Sequence, residues 1–132
     1  MRKSFSHLEQ WRKQEPFPSN EGDPYGIFYI PSNDKRERER NHTYFVVIAC
    51  DGVLGGWDHV SVHARFIKDS KLQMRCPTWD EMCYLKDLFF EDEECVMQLH
   101  PSKSNYVNNH PYVLHLWRPL TETIPTPPNL FV

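Results

Sequence analysis

The alternation of apolar and polar side chains changes character several times along the chain, and each change marks an element. Phe5, Leu8 and Trp11 recur at helical spacing among polar residues. This predicts a short amphipathic N-terminal helix over residues 4–14, ended by Pro16 and Pro18. Gly26 to Ile30 reads as a compact strand closed by Pro31. Tyr44 to Ala49 is an unbroken apolar run, the pattern of a central strand buried on both faces. Asp51-Gly52 and Gly55-Gly56 supply turn residues, so 44–64 reads as a β-hairpin with a loose loop. Two further strands are expected near 95–100 and 112–117.

Helical signals are clearest after Pro77. Thr78 can cap a helix and Glu81, three residues on, completes a capping box. The helix should run over about 78–90, with Trp79, Met82, Cys83, Leu85, Phe89 and Phe90 on a broad apolar face, until the acidic run Glu91-Asp92-Glu93-Glu94 ends it. Asp34 to Arg40 alternates charge and has no apolar side. A solvated loop fits that pattern better than a phosphate-contacting arm. The architecture expected is α+β, a single mostly antiparallel sheet of about five strands with the main helix on one face. Residues 1–120 form one domain, and 121–132, with Pro125, Pro127 and Pro128, an extended tail.

Composition narrows the function classes. The chain has 132 residues, enough to bury a core without disulfides or metal. Its net charge of −3 disfavours non-specific nucleic-acid binding, which rests on phosphate neutralisation. No apolar stretch follows the charged N-terminus and none approaches the roughly 20 residues that cross a bilayer. The expectation is a cytoplasmic protein without membrane contact. Cys50, Cys76, Cys83 and Cys95 include no CxxC pair and read as reduced, mostly buried thiols. Aromatic residues reach 14%, an excess that favours contact with a partner or a flat ligand.

Candidate chemistry follows from strand periodicity, because alternate side chains share a face. If the apolar sets Val60, Val62, Ala64 and Leu114, Leu116 meet the helix, the opposite face collects His59, Ser61, His63, Gln98, His100, His115 and Trp117. Such a face also fits the solvated outer side of an antiparallel sheet. Adding the neighbouring loop and aromatic residues, the candidate binding set is Trp57, His59, Gln98, His100, Tyr106, Asn109, His110, His115, Trp117 and Arg118. Trp79 reads as core, while Trp57 and Trp117 divide evenly between core and surface. Candidate catalytic residues are His59, Ser61 and His115: His59-Val60-Ser61 has the form of half a two-histidine phosphoesterase motif, with two imidazoles as base and acid. His115-Leu116-Trp117 lacks the second hydroxyl. His59 and His63 are too far apart along one strand to share a metal, no metal-spaced signature is present, and neither metal nor cofactor is expected.

The stretches Trp57-Asp58-His59-Val60-Ser61-Val62, Pro77-Thr78-Trp79-Asp80-Glu81-Met82, Lys86-Asp87-Leu88-Phe89-Phe90, Asn109-His110-Pro111 and Leu114-His115-Leu116-Trp117-Arg118-Pro119 together resemble a family of small uncharacterised proteins of tailed bacteriophages and prophages. The resemblance covers about residues 57–119. It implies a phage or prophage setting in the cytoplasm of a bacterial host cell, and assigns no activity. A serine commonly stands in that family where this chain has His63, which takes weight from any essential role for His63. The leading expectation is a non-enzymatic accessory domain that binds a host or defence protein. The alternative is a nucleotide-binding or phosphoester-cleaving enzyme, requiring His59 and His115 to converge across a concave pocket. Specific nucleic-acid binding would require Arg36, Arg38, Arg40, Arg65, Lys68 and Arg118 on one surface.

Overall fold

The computed structural model describes residues 6–13, 26–40, 42–91, 95–102 and 110–120. Its centre is a hairpin of two long strands, β3 (Tyr44–Leu54) and β4 (Trp57–Lys68), antiparallel along their whole overlap. The turn between them is tight, not the loose loop expected. Gly55 and Gly56 carry φ of 56° and 86°, the positive pair that a two-residue turn matched to strand twist demands. Strand β2 (Gly26–Pro31) pairs with β3, and two short strands add to the sheet: β1 (Arg12–Lys13) on the outer side of β2, and β5 (Lys71–Gln73) on the far end of β4. With β6 (Val96–Pro101) and β7 (Tyr112–Pro119) the sheet has, among the described residues, seven strands in the order β1-β2-β3-β4-β7-β6, with β5 off that path. All pairings are antiparallel. The expectation of about five strands was low because β1 and β5 are two and three residues long, too short to show a period.

One face of the sheet is the core. Phe28, Ile30, Phe45, Val47, Ala49, Val60, Val62, Phe66, Leu114 and Leu116 point to it and are buried. Helix α2 (Trp79–Phe89) lies across it, inserting Leu85 and Phe89, and Phe90 follows at the C-cap. The aromatic excess is spent here: Phe45 meets Phe66 edge-on at 4.9 Å and Phe28 meets Phe89 at 6.4 Å. The helix begins as read. The Glu81 amide donates to Thr78 Oγ1 at 3.2 Å and the Thr78 amide to Glu81 Oε1 at 2.8 Å. Arg75 adds a bidentate pair to the same carboxylate at 2.7 and 2.8 Å while lying over the Phe66 ring. Burial alone would push the Glu81 carboxyl up, but the bonds to Arg75 and Thr78 outweigh it and hold it below the usual range.

Three local readings are corrected. The N-terminal element is a 3-10 helix, Ser6–Trp11, which buries Leu8 against the core and then enters β1. The charged segment is not a loop but helix α1 (Lys35–Arg40), with no buried residue. Asp34 caps it by accepting from the Arg36 and Glu37 amides. Trp79, placed with the core from its spacing, is 65% exposed. It stands in the first turn of α2, ahead of the buried helix residues Glu81, Leu85 and Phe89. The tail 121–132 lies outside the described residues.

Candidate functional site

The strand register arranges the second sheet face in rows. Gly52, His59, Trp117 and Val96 form one row across β3, β4, β7 and β6. Cys50, Ser61, His115 and Gln98 form the next, and Ile48, His63, Val113 and His100 the third. The structure therefore brings together His59, Ser61, His63, Gln98, His100, His115 and Trp117 on one face. This follows from an alternation with period two that no bulge interrupts between residues 57 and 64 or 112 and 117.

Within this face the imidazoles contact one another directly. His59 Nε2 and His115 Nδ1 are 2.9 Å apart, so one ring supplies the N–H and the other the lone pair. The His59 ring also stacks on Trp117, with centroids 3.9 Å apart and planes 19° from parallel. Trp117 Nε1 donates to Gln98 Oε1 at 2.9 Å, which satisfies a buried indole N–H. His63 Nδ1 lies 3.4 Å from Ser102 Oγ, and Ser61 donates from Oγ to the Cys50 carbonyl at 3.4 Å. Three of these imidazoles are driven toward the neutral form. Burial lowers the pKa of His59 from 6.5 to about 4, helped by His115 and His63. Burial likewise takes His63 to about 4, with His110 and His115 adding to the shift. His115 falls to about 4 through burial and His100. The neighbouring charges that shift these three rings are those of other imidazoles.

This arrangement limits the chemistry. A general acid at neutral pH must carry a proton it can give, and rings held near pKa 4 are neutral there. A bond of 2.9 Å between the two candidate rings also leaves no room for a substrate between them. Ser61, the third catalytic candidate, is buried and turned to a backbone carbonyl. Among the described residues no group of three or more His, Cys, Asp or Glu side chains is placed to hold a metal ion.

The remaining candidates divide. Trp57 and Trp117 are 3% and 0% exposed and meet edge-on at 6.4 Å, so both are interior and closed to a partner. His110 is buried near His63. Arg118 does not join the face. Its position in β7 turns it to the core side, where it pairs with buried Asp58 at 2.9 Å and lies over the Phe90 ring. Tyr106 and Asn109 lie outside the described residues. The cationic surface required for specific nucleic-acid binding is absent among the described residues, because Arg65 and Arg118 occupy opposite faces of the sheet. Two features escaped the sequence reading. One is the exposure of Trp79, which helical spacing cannot reveal in a first turn. The other is a pocket of about 550 Å³ lined by Tyr29, Pro31, Arg38, His42, Thr43 and Tyr44, none of which belongs to the histidine rows. The mixed charges of Arg36 to Arg40 were the one sequence signal near it.

The chain folds as an antiparallel α+β domain with a cluster of mutually contacting imidazoles on its second sheet face. A family described as Domain of unknown function (DUF7694) matches residues 50–121, more than half of the chain, and the chain belongs to that family. The matched segment runs from the end of β3 through β7, so it contains α2 and most of the histidine-bearing rows. Comparison with characterised proteins gives no match. Comparison with solved structures gives none either. No helix among the described residues is long and apolar enough to cross a membrane.

Proposed function

We propose that this domain is a non-enzymatic binding module for a partner protein, and that the partner docks at the start of α2. The observation that carries the reading is Trp79, 65% exposed in the first turn of the helix, close in sequence to Met74, which is 70% exposed. Trp and Met are residue types enriched in interfaces, and a Trp left in water is the usual form of an energetic anchor. The capping box and the Arg75–Glu81 pair hold that turn rigidly, so little ordering entropy is lost on docking. The histidine face supports the reading by contrast: its rings bond to each other and remain neutral, which suits scaffolding better than proton transfer. The resemblance to phage and prophage proteins favours a bacterial host or defence protein as the partner, in the cytoplasm of the host.

The test compares wild-type protein with Trp79→Ala and Met74→Ser as baits in lysate of a candidate host. A specific partner captured by the wild type should be lost by at least about tenfold in Trp79→Ala, equivalent to about 1.4 kcal/mol. Val53→Ser, at an exposed position in β3, should retain it. Equal capture by all three variants would remove Trp79 as the anchor.

A further inference from the structure

The second sheet face continues past the histidine rows to a different kind of site. Tyr29 in β2 and Tyr44 in β3 lie on this face, in the rows of Val46–Arg65 and of Pro31–Ile67. Their rings meet edge-on, with centroids 6.2 Å apart and planes 69° from parallel. Rings so tilted form an open corner, in which a planar guest can stack on one face and meet the edge of the other. A wide, shallow pocket of about 550 Å³ opens here, lined by both rings.

Positive charge gathers beside the corner. Arg38, from α1, lines the pocket and donates from Nη1 to the Ser32 carbonyl at 3.1 Å, which fixes its guanidinium without neutralising it. The neighbouring acid, Glu37, is engaged by Lys68 at 3.6 Å and by the Thr43 hydroxyl at 3.3 Å. His42 lines the pocket as well, in a left-handed conformation with φ of 47° that β-branched and bulky residues avoid. Arg65 stands one diagonal step from Tyr44 on the same face, a separation that long side chains span. Its Nε is buried and meets no acceptor among the described residues. Neither Arg38 nor Arg65 is paired to a carboxylate among the described residues.

We propose that this end of the face binds a small planar aromatic ligand carrying an anionic group, the chemistry of a nucleoside monophosphate. Tyr29 and Tyr44 receive the ring, Arg38 and His42 receive the anion, and Arg65 adds positive potential from the adjacent row. The site shares no residue with the Trp79 surface, and each stands or falls by itself.

Amide chemical shifts of the labelled wild-type protein provide the test, with adenosine monophosphate, adenosine and inorganic phosphate titrated separately. The monophosphate should shift the amides of Tyr29, His42, Thr43 and Tyr44 and saturate with a Kd at or below about 1 mM. Adenosine and phosphate should each bind at least about tenfold more weakly, because each offers half of the recognition. Arg38→Gln should weaken the monophosphate to the level of adenosine and leave adenosine unchanged. Phosphate binding as tightly as the monophosphate would remove the ring from the proposal, and adenosine doing so would remove the anion. Shifts centred on His59 and His115, or none at several times that concentration, would overturn it, and these wild-type outcomes do not depend on how the variant folds.

Discussion

His59, His63 and His115 each have a folded pKa about 2.5 below the unfolded 6.5, and the sign of the consequence is fixed. The unfolded chain binds more protons than the folded one between pH 6.5 and 4, so stability falls as pH drops through that window and levels off below it. Above pH 6.5 the three groups are neutral in both states and the full contribution is present. Each unit is worth about 1.4 kcal/mol, which sets a ceiling of about 3 kcal/mol for His59 or His63. His115, more open to solvent, contributes less because water screens it. Urea denaturation at pH 7 and pH 5 should therefore differ by at least about 2 kcal/mol, and His59→Gln should shrink the gap. A midpoint that stays constant across that range would show that the rings take up protons without resistance.

At the scale of elements, what could be read from the chain was whatever repeats. Strand period alone assigned His59, Ser61, His63, Gln98, His100, His115 and Trp117 to one face, since a register without bulges preserves parity along each strand. Thr78 and Glu81 announced α2 because a capping box is a fixed chemical spacing. Helix α1 stayed hidden for the opposite reason: with charges on every side it has no stripe, and its support is local, from the Asp34 cap and the Lys35–Glu39 pair. Nor could spacing say that Trp117 would be sealed, because alternation gives the face of a residue and not what lies over that face. Turn chemistry was legible at Gly55-Gly56 but not at Asp69-Ser70, which link β4 to β5 with φ of 50° and 65°. A serine in that conformation is strained where glycine is not. Ser70→Gly should raise stability by about 0.5–1 kcal/mol, seen as a higher urea midpoint at unchanged slope; a lower midpoint would mean that the hydroxyl has a role the backbone does not reveal.

For the molecule as a whole, the two sides of the sheet have opposite economies. One side is mostly hydrocarbon, apart from the Asp58–Arg118 pair, and is closed by Leu85 and Phe89 from α2 and by Phe90 at its C-cap. The other is built from polar rings that satisfy one another around a buried indole. Trp117→Ala should accordingly cost about 3–5 kcal/mol, since it empties a large volume and strips both the His59 ring and the Gln98 carbonyl of their partner. Trp79→Ala should change stability by less than about 0.5 kcal/mol, because its side chain is mostly in water already. Melting curves of the two variants would separate a tryptophan that holds the fold from one that faces outward. Comparable losses in both would mean that the exposed indole packs more than its accessibility indicates.

The path of the chain through the sheet also orders events in time. Strand β4 meets β3 through a two-residue link, but it meets β7 only after the chain has passed through β5, α2 and β6. Closing the short loop is fast and closing the long one slow, so the glycine hairpin forms first and β7 docks late. Until it docks, one flank of β4 has unpaired amides and His59 has no His115 to share a proton with. A newly made chain is therefore most vulnerable to sticking to its neighbours in that interval, and the arrival of β7 both zips the flank and extinguishes the hazard.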